Sequence, residues 1–117
     1  MRRGDVVLVD FPFATGGGSK VRPALVVQSD HNNARLQDTI VAIITSNTAR
    51  AGKEQTQYLI DPGHPDWHAS GFRLPSVVKC ENLYTFNNRR ILRVLGQLST
   101  ATMQQVNGCL KVSLGLP

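Results

Sequence analysis

Lys20-Val-Arg-Pro-Ala-Leu-Val-Val-Gln-Ser-Asp30 is the stretch on which the reading of this chain turns. Two cations flank Val21 just ahead of Pro23, an apolar run with two adjacent valines follows, and polar turn formers close it. A run of that length and composition predicts a buried strand from Arg22 to Gln28. Arg22, at the mouth of the strand, carries two readings. It is a solvated strand-end charge, the ordinary state of an arginine, or a guanidinium held on a rigid element so that its fork meets an anion. This stretch alone leaves both open.

Upstream, Arg3-Gly-Asp-Val-Val-Leu-Val-Asp-Phe-Pro-Phe13 reads as a first strand, with Pro12 unable to donate to a ladder. Its Arg-Gly-Asp triplet runs straight into that strand, which argues against an adhesion motif. Between the two strands lies Ala14-Thr-Gly-Gly-Gly-Ser19, expected as a mobile loop whose glycines let backbone N–H groups approach an anion. It lacks the Gly-Lys-Ser/Thr ending of a nucleotide-binding phosphate loop. A flap over a groove and a plain hairpin are both compatible with it.

Downstream, Ser29–Leu36 is polar and turn-rich, with room for one helical turn, and His31 there has no partner at ligand spacing. Thr39-Ile-Val-Ala-Ile-Ile-Thr-Ser46 is β-branched and nearly continuous, hence a central buried strand. Thr45 and Ser46 end it, facing opposite sides, and a hydroxyl in such a place most often bonds a nearby backbone group. A polar connection, Asn47–Glu54, leads to a fourth strand over Gln55–Ile60. Asp61–Gly71 is irregular; its prolines and glycines keep His64 and His68 off the regular helix that would align them as ligands. Trp67 in that segment docks on the core or stacks on a base. Leu74–Lys79 is expected as a fifth strand, Cys80–Asn88 as a turn, and Arg89–Gly96 as a last strand. From Ser99 or Thr100 onward, Met103, Val106, Leu110 and Leu114 recur at helical spacing, with Gly115 beyond the end. Gly108 costs such a helix about 1 kcal/mol, and the alternation in Leu110–Leu114 offers a strand instead.

A chain of 117 residues holds one core, so residues 1–117 are expected to be a single domain. Thirteen Lys and Arg against eight Asp and Glu leave a formal charge of +5, which favours a polyanion or an acidic protein as partner. The acids are scattered, which argues against a metal-dependent nuclease. Cys80 and Cys109 have no metal-site spacing and read as buried small hydrophobes rather than a disulfide. The opening apolar run is too short for a secretion signal and no run could span a bilayer, so the expected location is cytoplasmic. Short strands with one terminal helix and no βαβ rhythm predict a small, mainly antiparallel barrel or tightly curled sheet capped by that helix.

In order along the chain, the chain resembles the MazF/PemK toxin family at Arg3-Gly-Asp-Val-Val-Leu-Val-Asp10, Val21-Arg-Pro-Ala-Leu-Val-Val27, Ser29-Asp-His-Asn-Asn33, Ala42-Ile-Ile-Thr-Ser46, Ser76-Val-Val-Lys79, Leu95-Gly-Gln-Leu98 and Val112-Ser-Leu-Gly-Leu116. The resemblance implies a mainly β, SH3-like barrel with a C-terminal helix, working as a homodimer. It implies sequence-specific cleavage of single-stranded mRNA without metal or other cofactor, leaving 2′,3′-cyclic phosphate and 5′-hydroxyl ends. A cognate MazE/PemI-like antitoxin is the implied protein partner, with DNA met only through the antitoxin complex. The family's catalytic positions fall on Arg22 and Thr45. Gly17, Gly18, Ser19 and Lys20 of the first loop, Ser46 beside Thr45, and Lys79 are the candidate substrate-binding positions. The family's usual loop contains a glutamate or glutamine, which Thr15–Lys20 replaces here.

Such cleavage needs the 2′-hydroxyl to attack its own phosphate, with the proton removed, the leaving oxygen protonated and the transition-state charge stabilised. Arg22 suits the last task and suits proton abstraction poorly, since the ordinary pKa of a guanidinium exceeds about 12. Thr45 is expected to orient the phosphate or the 2′-hydroxyl, and no histidine matches the family's catalytic motif. Lys20, Lys79 and the cluster Arg89, Arg90 and Arg93 either guide RNA or antitoxin carboxylates, or form an ordinary solvated basic face. Two other functions fit a small β toxin-like domain: a gyrase-binding protein similar to the CcdB toxins, and a DNA-binding component of a repressor.

Overall fold

In the computed structural model, which describes residues 1–117, the first two strands form a hairpin. β1 (Asp5–Pro12) and β2 (Ser19–Val26) pair from Val6 opposite Leu25 to Pro12 opposite Ser19. Ser19 and Lys20 therefore belong to β2 and not to the loop. The glycines close a bonded turn rather than hang as a flap: Phe13 N–H donates to the Gly18 carbonyl at 3.1 Å and Gly16 N–H to the Phe13 carbonyl at 3.2 Å. Gly16, Gly17 and Gly18 all have positive φ, a backbone that side chains resist, so three glycines in a row make this turn.

β2 ends at Val26, two residues before the expected end, although Val27 and Gln28 N–H still donate to the Ile40 carbonyl, and a short helix follows, α1 (Asp30–Arg35), capped by the Ser29 hydroxyl accepting from Asn32 N–H. β3 (Asp38–Thr45), β4 (Gln57–Ile60) and a one-turn helix α2 (Trp67–Ser70) come next. The expected turn over Cys80–Asn88 is overturned: β5 runs from Ser76 to Asn87. Its register against β3 jumps from Ile43–Lys79 to Ala42–Leu83, so Cys80, Glu81 and Asn82 form a bulge that re-aims the strand. The bulge breaks the alternation and carries polar residues, which is why the segment looked like a turn. After a 3-10 turn over Asn88–Arg90, β6 (Ile91–Gln97) returns to pair with β1.

α3 (Thr100–Leu114) is a single helix, which removes the strand alternative for Leu110–Leu114. Ser99 caps it by accepting from Thr102 N–H, and Gly115 ends it in the left-handed region. Met103 and Val106 are buried, with Cys109 and Leu110 packed beside them. Fully burying a side chain of the size of Val106 contributes about 1.5 to 3 kcal/mol.

All pairings are antiparallel, in the order β4-β5-β3-β2-β1-β6. The sheet is strongly curled. β1 and β5 are three places apart, a flat-sheet distance of about 14 Å, yet the rings of Phe11 and Tyr84 meet with centroids 4.9 Å apart. The curl creates two apolar clusters from the two faces of the same strands. Val7, Val9, Ala24, Val26, Val41, Ile43 and Phe86 form one; Val6, Leu25, Ala42, Ile44 and Val78 pack on the other side with Met103 and Val106 of α3. Mainly β structure with a C-terminal helix is thus as expected. No helix is long and apolar enough to cross a membrane.

The Arg-Gly-Asp triplet is built into this framework. Asp5 is buried and accepts from Arg2 N–H at 2.8 Å, while Arg3 Nε donates to the Val27 carbonyl at 2.9 Å. Cys80 is fully buried and Cys109 partly so, both as free thiols; burial pushes the Cys80 thiol up to about 12 and raises Cys109. They are small hydrophobes, as the sequence suggested.

Candidate functional site

The β2–β3 ladder pairs Val26 with Val41, Leu25 with Ala42 and Ala24 with Ile43. Carried two residues further, that register sets Arg22 across from Thr45. Both then share a face with Ala24 and Ile43, because neighbours along a strand alternate. Arg22 is exposed, and its guanidinium carbon lies 5.5 Å from the centre of the Phe11 ring. It makes no hydrogen bond and no ion pair within the chain; the salt bridges are Arg50–Glu54 and Arg90–Asp10. Its donors are therefore free. Thr45 is half-buried, and its Oγ1 accepts from Asn47 N–H at 3.1 Å. That bond uses a lone pair and leaves the hydroxyl proton to donate outward.

Beside this pair lies an open groove of ≈ 530 Å³. Lys20, Arg22, Thr45, Ser46, Arg73 and Arg93 contribute to its lining, and no acidic residue does. Four cations with no counter-charge around one concavity focus a positive potential on whatever enters it. Apolar Leu8, Pro23 and Ile44 line it too. Arg73 escaped the sequence reading, since one arginine in an irregular segment has no signal until the chain brings it beside β2.

Other candidates separate. Lys79 lines an adjoining cavity of ≈ 170 Å³ that also touches Thr45, Asn47 and Gln57. By the pairing of Ile43 with Lys79, it shares the face of Thr45. Gly17, Gly18 and Ser19 stay at the exposed end of the β1–β2 hairpin, outside the groove lining. The basic cluster is split: Arg93 lines the groove, Arg90 pairs with Asp10 at 3.5 Å, and Arg89 lines a separate cavity with Asn87 and Asn88.

The irregular segment proves structural. His64 Nδ1 accepts from Asp66 N–H at 2.9 Å, so its ring proton sits on Nε2, 2.7 Å from the Tyr58 hydroxyl. Burial alone would raise the Asp66 carboxyl, but the Ser99 N–H and the Thr102 and Ser99 hydroxyls outweigh it and hold the group below the usual carboxylate range. Trp67 packs against the core, so it docks the loop. No three His, Cys, Asp or Glu side chains are gathered as a metal site.

This architecture and sequence have close counterparts. The chain is 34% identical to the endoribonuclease MazF of Staphylococcus saprophyticus, over 99% of this chain and 92% of that protein. Among solved structures, an endoribonuclease in complex with its cognate antitoxin from a mycobacterial species superposes with a TM-score of 0.78 at 24% identity, covering 100% of this chain and 97% of that one. The Mycobacterium tuberculosis toxin MazF-mt6 gives 0.75 at 20% identity, over 97% of this chain and 98% of that one. These two likenesses show the shared fold. Residues 2–114 match PemK-like, MazF-like toxins of type II toxin–antitoxin systems, and the chain belongs to that family of ribonuclease toxins.

Proposed function

We propose that the chain, as one domain over residues 1–117, is a sequence-specific, metal-independent endoribonuclease that cuts single-stranded mRNA in the cytoplasm. The observation that carries this reading is an arginine with every donor free, Arg22, lining together with Thr45 a groove that holds four cations and no acid. The attacking 2′-oxygen forms a bond to phosphorus as the bond to the 5′-oxygen breaks. The products are a 2′,3′-cyclic phosphate and a 5′-hydroxyl. Charge grows on the non-bridging oxygens during that exchange, and the Arg22 fork meets it there. The Thr45 hydroxyl donates to the phosphate or holds the 2′-hydroxyl in line for attack. We assign proton removal to neither: a guanidinium stays protonated and an alcohol is a weak base.

Lys20, Arg73 and Arg93 extend the positive surface along which the flanking phosphates run, and Ser46 and Lys79 border it. Gly17, Gly18 and Ser19, at the exposed end of the neighbouring hairpin, contact RNA beyond the groove and so contribute to the sequence preference. The same charge suits an antitoxin of the MazE/PemI kind presenting an acidic segment, consistent with a structural relative being an endoribonuclease in complex with its cognate antitoxin. The protein acts as a homodimer and meets operator DNA only through that antitoxin. We read the curled sheet as the SH3-like barrel of the family, its seam between the edge strands β4 and β6.

The test is to incubate the purified chain with a long single-stranded RNA in EDTA and map the ends. Cuts at a short common sequence, with cyclic-phosphate and 5′-hydroxyl ends, are expected. RNA left intact, or cutting that needs a divalent ion, would overturn the reading.

A further inference from the structure

Arg22 has no acidic partner to hold it: the ion pairs of the chain are Arg50–Glu54 and Arg90–Asp10. The nearest acid in sequence on β1, Asp10, stands opposite Val21, on the other face of the strands, and pairs with Arg90. What lies under Arg22 is the Phe11 ring, 5.5 Å from the guanidinium carbon. Phe11 is half-buried and meets Tyr84 edge to face at 4.9 Å and 75°, and Phe86 at 5.4 Å and 70°; Tyr84 and Phe86 stack on each other at 5.8 Å. Three rings from two strands thus lock one another, and Phe11 is the ring over which the guanidinium lies.

Resting on the assignment of Arg22 to the scissile phosphate, we propose that Phe11 is a positioning residue: its ring seats the Arg22 guanidinium by a cation–π contact. A carboxylate would fix an arginine by engaging its N–H edge and cancelling its charge. An aromatic face engages the plane of the guanidinium, leaving the edge donors and the positive charge for an incoming phosphate. Preorganised donors stabilise a transition state more than donors that must first be ordered. The seat depends on the curl of the sheet, which brings β5 rings against a β1 ring.

Substitutions at Phe11 separate the electrostatics of the ring from its bulk. Phe11→Leu keeps an apolar side chain and should lower kcat on a mapped RNA oligonucleotide by about fivefold to tenfold with KM little changed. Phe11→Tyr, which keeps the ring face, should stay within about twofold of the parent. Because Phe11→Leu also loosens the aromatic trio, stepwise fluorination of Phe11 supplies a shape-preserving series that drains the negative ring face. The logarithm of kcat should fall steadily with each fluorine while the melting temperature holds. A flat series, with Arg22→Ala inactive, overturns the seat and leaves the phosphate assignment standing. An active Arg22→Ala overturns both.

Discussion

The backbone N–H of Ser99 donates to Asp66 Oδ2 at 2.7 Å, tying the cap of α3 to the turn that opens α2. Asp66 is buried, and the hydrogen bonds it accepts hold its carboxyl below the usual range despite the opposing effect of burial. A carboxyl depressed in the folded state adds stability that is complete above its unfolded pKa, about 3.9, and is lost as pH falls through the lower folded value. Asp66→Asn should therefore cost about 1 to 2 kcal/mol at neutral pH. It should also make the acid limb of the stability profile shallower below about pH 4. Urea titrations between neutral and strongly acid pH check both; a limb of unchanged steepness would remove Asp66 from this role.

Two glycines of similar appearance in the sequence should respond oppositely to alanine. A Cβ on Gly96 would overlap the backbone carbonyls of Ala69 and Ser70, where α2 crosses β6. Gly96→Ala should cost about 2 kcal/mol or more, since backbone atoms have to move. A Cβ on Gly108 meets open space on the exposed side of α3, so Gly108→Ala should add about 0.5 to 1 kcal/mol. Equilibrium denaturation of the two variants decides, and a stabilised Gly96→Ala would contradict the α2–β6 contact.

β1, β3, β4, β6 and α3 were legible because their apolar residues keep a regular period and their ends carry recognisable caps and breakers. β5 is legible only as far as Lys79 because the Cys80–Asn82 bulge interrupts the period, and only the partner strand reveals that pairing resumes at Leu83. α1 has no buried residue and hence no periodic signal; its Ser29 cap is the local cue. At the site, Arg22 and Thr45 stood out through the family resemblance, and their common face follows from the β2–β3 register. Arg73 and Phe11 had no such cue. Arg73 comes into place through the chain leaving α2; Phe11 meets Arg22 through the β1–β2 register and meets its supporting rings through sheet curl.

Electrostatic guidance of RNA should be measurable residue by residue. Binding of a single-stranded oligonucleotide to the Thr45→Ala protein should weaken linearly with the logarithm of salt concentration. Lys20→Ala and Lys79→Ala should each reduce that slope by about 0.7, the value for one lost contact on a single strand. Arg89→Ala, on the separate cavity, should leave it unchanged. Fluorescence anisotropy across a salt series gives the slopes. Slopes that ignore Lys20 and Lys79 would move the RNA path away from this groove.

Arg22 and Thr45 are expected to act together on one phosphate. The most direct test is the single-turnover cleavage rate of Arg22→Ala, Thr45→Ala and the double variant on one mapped RNA site, with circular dichroism confirming that each protein is folded. Each single change should slow cleavage by about a hundredfold or more, and the double should fall short of the product of the two. A folded single variant that cuts within about threefold of the parent rate would contradict the shared site.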